Sequence, residues 1–154
     1  SSGAGFIVSS DGLILTRREV VPSDDADISI ERGNEKFTAK VYKRMDDNGL
    51  VLLKSEASNL PVVTFANPAD ISLGNKVILI GNKTNSLGNR EFINVGFLKS
   101  IDGSTLETSL QEDSNLASGT PLFDLKGNVI GINFTNSKGY VFSISSEIIQ
   151  SFVE

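Results

Sequence analysis

With 154 residues the chain has the size of one domain, or of two small barrels sharing an interface, and can bury roughly 68–70% of its unfolded surface. Its 39% hydrophobic and 21% charged residues are those of an ordinary globular protein, and a net charge of −5 with no run of Lys or Arg longer than two argues against nucleic acid or an anionic membrane as partner. Cysteine and histidine are both absent. That excludes disulfides, thiolate metal sites and a cysteine nucleophile, and it removes the commonest general base and the commonest metal ligand.

Short segments of strand character follow one another at close spacing, separated by Gly, Asn, Asp and Ser. In chain order the predicted strands are Ala4–Val8, Leu13–Thr16, Asp27–Glu31, Phe37–Lys43, Leu50–Lys54 and Val62–Ala66, then Lys76–Ile80, Glu91–Leu98, Thr105–Leu110, Pro121–Phe123, Val129–Phe134 and Tyr140–Ser145. Such density marks an all-β barrel or sandwich. Glu31-Arg32-Gly33-Asn34 reads as a tight hairpin, because Gly and Asn accept positive φ. The sites Gly74, Gly81, Gly88 and Gly127 read as turns. None is a phosphate loop, since no helix follows them. Val77-Ile78-Leu79-Ile80 is apolar on both faces and suits a wall between two packed halves.

Residues 67–74 read as a connection, dividing an N-terminal half (1–66) from a C-terminal half (75–145). Residues 146–154 close the sequence with a short helix. Ser145 or Ser146 can cap that helix, while Ile148, Ile149, Phe152 and Val153 form its apolar face. No apolar run approaches the ~18 residues of a membrane span, so this segment is not expected to insert. No signal peptide is visible; an export signal or anchor is expected outside the sequence.

One stretch organises the rest: Leu116 to Asn133, LASGTPLFDLKGNVIGIN. A tight turn centred on Ser118-Gly119 leads into Leu122-Phe123, a second turn at Lys126–Asn128 and a buried strand. A serine on a sharp turn between short strands is where a nucleophile can be presented.

This stretch resembles the GNSGGPL-x-x-x-x-G-x-V-I-G-I-N segment of trypsin-like serine proteases, closest to the HtrA/DegP type. The resemblance extends through GFIVSSDGLILT (5–16), LGNKVILIGN (73–82), NVGFLKS (94–100) and GYVFSISSEII (139–149), nearly the whole chain. It implies two perpendicular six-stranded β-barrels of the trypsin/chymotrypsin fold, a short C-terminal helix, and an active site in the cleft between the barrels. It also implies an extracytoplasmic location, in the cell envelope or secreted. No peptide-binding PDZ domain is expected within this stretch.

Position by position, the resemblance places Glu19 where the family has its histidine base and Gly49 where it has the orienting aspartate. Asp46 and Asp47 lie just upstream, within reach of a slipped loop. The nucleophile position is kept as Ser118, and the oxyanion-hole positions read Leu116, Ala117 and Ser118, with leucine replacing the family's glycine. Serine needs a partner to take its proton, and a glutamate of pKa near ~4.3 is a weak base at pH 7. In other serine proteases loss of the triad costs about 10⁶ in turnover, leaving roughly 10³–10⁴ over water from the oxyanion hole and binding. Leu116 threatens even that remainder, because a Cβ resists the backbone conformation of glycine.

The expectation is therefore a catalytically inactive trypsin-like protease homologue serving as a binding, scaffold or regulatory module. Its partner would be a protein or peptide taken up by the inter-barrel cleft or a strand edge. No cofactor, metal or nucleic acid is implied. The alternative is an HtrA-like serine endopeptidase with Ser118 as nucleophile and a non-standard base. A purely structural domain is a third reading. Glu19 also has a plainer role, as a carboxylate paired with Arg17 or Arg18.

Overall fold

A computed structural model describes residues 3–24, 27–86 and 88–154. In the first half, β1 (Phe6–Ile7), β2 (Leu13–Arg17), β3 (Ile28–Arg32), β4 (Glu35–Met45) and β5 (Leu50–Ser55) form one antiparallel sheet in the order β1-β2-β5-β4-β3. The β3–β4 hairpin turns where predicted, with Gly33 at φ +59°. A bulge between Val41 and Lys43 bends β4 and helps the sheet to curl.

The curl stops short of closure. The sixth strand expected at Val62–Ala66 is instead an extended segment that bonds to both halves. Val63 N–H donates to Ile7 O (3.5 Å) and Ala66 N–H to Val129 O (2.9 Å), while Thr64 O accepts from Val129 N–H (2.8 Å). Pro61, lacking an N–H, cannot extend this into a regular ladder.

The second half closes. β6 (Lys76–Asn85), β7 (Gly88–Asp102), β8 (Thr105–Gln111), a single helical turn α1 (Ser114–Ala117), β9 (Pro121–Phe123), β10 (Val129–Thr135) and β11 (Tyr140–Ser145) follow in sequence. The six strands form a barrel in the order β10-β11-β8-β7-β6-β9. The β6–β7 ribbon is longer than predicted, with an unbroken register from Lys76↔Phe97 to Asn85↔Gly88. Gly81, read as a turn, lies within β6 opposite Phe92. A Cβ there would sit 2.6 Å from Phe92 Cε1, so the glycine makes room for the ring across the strand. The connection over 67–74 holds a 3₁₀ turn, Pro68–Asp70, capped by Asn67.

Three apolar clusters fill the fold. β5 feeds two of them by simple alternation. Val51 and Leu53 face the interior of the first sheet with Ile14, Val21 and Ala39, while Leu50 and Leu52 face the second half. There they meet Val129, Ile132 and Ile144, together with Phe6, Val8 and Leu15. The wall between the halves is thus built by β5 and β10, and the expectation for Val77–Ile80 is corrected. Val77 and Leu79 point into the barrel core, whereas Ile78 and Ile80 point outward and are only half-buried. The reason is closure: in a small barrel every second residue must fill the interior.

The chain ends in α2 (Ser146–Val153), with the Ser145 hydroxyl accepting from Glu147 N–H at 3.3 Å as N-cap. Ile149 and Phe152 from α2 complete the cluster between the halves. No helix among the described residues is long and apolar enough to cross a membrane.

Candidate functional site

β2 ends on a buried cation. Arg17 is 3% exposed although it sits where the strand gives way to a turn, because its guanidinium finds a partner on each side. Nε and Nη2 donate to the two oxygens of Glu19, both at 3.1 Å, and Nη1 donates to the carbonyl of Asn48. The guanidinium carbon lies 4.4 Å from the centroid of the Phe134 ring on β10. The next turn brings Glu19 back into this geometry: Val20 and Val21 N–H both donate to Arg17 O (2.9 and 3.1 Å). Arg18 adds a longer contact, Nε to Glu19 Oε1 at 3.7 Å. The pairing expected of Glu19 is therefore present, and it is a two-pronged, charge-assisted one.

Gly49 belongs to the same arrangement. Its φ is +68°, and a Cβ at this position would stand 2.8 Å from Arg17 Nη2 and 3.1 Å from Arg17 Cζ. A side chain at 49 and the guanidinium of Arg17 claim the same space. Asp46 and Asp47 do not substitute for it. Both are exposed on the β4–β5 turn, and among the described residues neither carboxylate makes a hydrogen bond or an ion pair.

Ser118 is reached through α1, a helical turn that the predicted sharp turn did not include. Asp113 caps the turn, accepting from Asn115 N–H at 2.9 Å. The Asp113 carbonyl accepts from Leu116 N–H (2.9 Å) and Ala117 N–H (3.0 Å), and the Ser114 carbonyl from Ser118 N–H (3.0 Å). All three backbone donors of the expected oxyanion positions are thus engaged within the turn. Ser118 has φ −62° and ψ 125° and is 4% exposed; its hydroxyl lies 3.1 Å from the Ser114 hydroxyl, its hydrogen-bond partner among the described residues. Leu116 is helical, so its Cβ causes no strain there.

The residues after Ser118 pin this segment at the seam between the halves. Gly119, at φ +89°, donates to Asn133 O (2.9 Å), and a Cβ on it would fall 2.1 Å from Ala4 O. The Thr16 hydroxyl donates to that same Ala4 carbonyl at 2.7 Å. Thr120 Oγ1 donates to Ala117 O at 2.6 Å, and buried Asn133 donates from Nδ2 to Thr120 Oγ1 (3.1 Å) and Pro121 O (3.2 Å). Ser118 and Glu19 therefore lie on opposite walls of one seam, but no hydrogen bond joins them. Sequence reasoning did not single out Ser114, Phe134 or Asn133. A possible helix N-cap at Asp113-Ser114 was the signal for the first.

Two cavities lie elsewhere. One of about 240 Å³ is lined by Phe6, Ile14, Ile30, Phe37 and Val63; the other, about 320 Å³, by Ile71, Lys76, Asp124 and Lys126. Neither is lined by Ser118 or Glu19. Among the described residues no group of three or more acidic side chains is arranged to hold a metal ion.

A family model described as a trypsin-like peptidase domain matches residues 3–132. Similar proteins include three described as probable periplasmic serine endoprotease DegP-like. That of Hahella chejuensis is 32% identical over 151 residues, that of Chlamydia muridarum 32% over 167, and that of Halomonas elongata 35% over 153. These matches cover 92%, 99% and 92% of this chain but 32%, 33% and 31% of the relatives. The chain spans about a third of the length of the proteins it matches.

Proposed function

The chain belongs to the trypsin-like peptidase family, in its HtrA/DegP type, and from that premise we propose that it is an inactive member, a pseudoprotease serving as a binding, scaffold or regulatory module. The observation that carries this reading is the fork of Arg17 on Glu19. The carboxylate at the base position has both oxygens committed to a guanidinium, which disfavours its taking a proton from a serine. Supporting it, the backbone donors at Leu116, Ala117 and Ser118 point into the α1 turn, away from where an oxyanion would need them.

A fluorophosphonate probe on the native chain tests the proposal. The expected result is no labelling of Ser118. Stoichiometric labelling would instead favour the endopeptidase reading, with Ser118 as nucleophile and a non-standard base.

The binding role has two structural supports. The family's binding site lies along the seam between the halves, and the first sheet leaves β3 as an edge with no neighbouring strand among the described residues, which can accept an extended peptide as an added strand. Titrating the isotopically labelled chain with a peptide library should shift amide signals along one of these. A library that moves no signal at either place removes the peptide-binding role. An extracytoplasmic location is proposed on the same footing, since the relatives are described as periplasmic.

A further inference from the structure

We infer that Asn48-Gly49 is a self-modification site, where the chain converts asparagine to isoaspartate without an enzyme and Arg17 activates and directs the reaction. Asn48 is the one asparagine in the sequence that glycine follows. Asparagine is chemically labile because the next backbone nitrogen can attack its side-chain amide, and glycine, lacking a Cβ, lets that nitrogen come closest. The nitrogen is uncommitted here. Among the described residues the Gly49 N–H makes no hydrogen bond, although the Gly49 carbonyl accepts from Arg18 N–H at 3.0 Å. The target is loosely held as well. Asn48 is half-buried, and its side-chain nitrogen donates only to Met45 Sδ at 3.1 Å, a weak acceptor.

Arg17 supplies the activation. Its Nη1 donates to the carbonyl oxygen of Asn48, and its Nη2 lies 2.8 Å from where a Cβ of Gly49 would stand. The guanidinium is thus laid along the peptide group that joins the two residues. When that peptide nitrogen gives up its proton, the negative charge spreads onto the same carbonyl oxygen, and a buried cation bonded there favours the anion. Solvent hydroxide takes the proton from Gly49 N. The nitrogen bonds to Asn48 Cγ, and the Cγ–Nδ2 bond breaks to release ammonia, its third hydrogen coming from water, which leaves a cyclic succinimide. Water then opens the ring at either carbonyl. Attack at Cγ gives aspartate; attack at the main-chain carbonyl gives isoaspartate, with the chain running on through Cγ. The main-chain carbonyl is the one that Arg17 Nη1 polarises, which favours isoaspartate. Its oxygen then belongs to a free carboxylate facing the guanidinium. This second acid competes with Glu19 for Arg17, and an extra methylene enters the β4–β5 turn.

Incubating the 154-residue chain at neutral pH and body temperature, followed by peptide mapping and isoaspartyl methyltransferase labelling, tests the inference. The expected result is a gain of one mass unit at residue 48, mostly as isoaspartate. Asn136, whose side chain accepts from Lys138 and Tyr140 N–H, should stay unchanged over the same period. Conversion should be faster in the native chain than in urea, where Arg17 is no longer held beside the peptide. Arg17→Met should slow it about 10-fold, the equivalent of one unit in the acidity of the Gly49 amide, and shift the product toward aspartate. Glu19→Gln leaves the guanidinium without its competing acid and should speed conversion several-fold, which keeps the test decisive should Arg17→Met unfold. In the converted native chain the Arg17 Nε–H NMR signal should move, since its partner Glu19 is displaced. A residue 48 that keeps its amide overturns the inference. Conversion no faster in the native chain than in urea, or unchanged in both variants, overturns the part given to Arg17. An Arg17 signal that stays in place overturns the competition with Glu19.

Discussion

The guanidinium of Arg17 occupies the space that a side chain at Gly49 would need: a Cβ on Gly49 would lie 2.8 Å from Arg17 Nη2. The residues at 17, 19 and 49 are therefore one physical unit. The acid at 19 neutralises the arginine, the arginine fills the gap at 49, and the glycine admits both.

Restoring family residues at two of these positions should accordingly fail. In Glu19→His/Gly49→Asp the new aspartate meets Arg17, adopts a positive φ, and the arginine loses its carboxylate. We expect no casein cleavage and a loss of about 1–3 kcal/mol in urea denaturation. Measurable cleavage would show that the α1 turn opens readily enough to expose its backbone donors.

Removing the arginine tests the unit from the other side. Arg17→Met keeps a stem over Phe134 but leaves Asn48 O and Glu19 without their donor. Because the Glu19 side chain is 38% exposed it can turn to water, so the expected cost is about 1–3 kcal/mol and less than for a fully buried pair. Urea midpoints of the two proteins check it.

Gly119→Ala should be among the most damaging single changes in the chain. The position combines φ +89° with a Cβ site 2.1 Å from backbone, the Ala4 carbonyl, which cannot swing aside as a side chain would. A loss of about 3 kcal/mol or more is expected, read from thermal or urea unfolding.

Ile149→Ala probes the seam. Ile149 is fully buried between the halves, and its truncation should cost about 2–5 kcal/mol in a single cooperative transition. Two separated transitions would show that the halves unfold independently.

Acid titration should reveal one local effect. The hydrogen bond from the Ser9 hydroxyl, then the charge of Lys54, hold Asp11 below its ordinary value of 3.8. A folded-state value that is depressed contributes stability present above the unfolded value and lost as pH falls through the folded one. Ser9→Ala should therefore move the Asp11 carboxyl titration, followed by NMR, upward toward 3.8.

Strand positions and the C-terminal helix are legible because turn residues and caps signal them locally: the Gly33-Asn34 hairpin and the Ser145 cap. The ribbon was read too short because Gly81 looks like punctuation, and only the ring of Phe92 across the ladder explains its place in a strand. The wall between the halves was assigned to β6 because periodicity reports that a strand is apolar on both faces, not which face meets which neighbour. At the site, the identities at 19, 49 and 118 were plain. The reach of Arg17 into position 49 was not, since that depends on a contact across 32 residues of chain.

The placement of Ile149 and Phe152 in the seam has a consequence for biosynthesis. Residues contributed by β1, β2 and β5 wait, while the roughly 95 residues between Ser55 and Ile149 are made, for apolar groups that emerge from the ribosome near position 150. The first sheet must spend that interval with Phe6, Leu15, Leu50 and Leu52 uncovered. Any chaperone attending this nascent polypeptide would find its client surface there, and would be released when α2 docks.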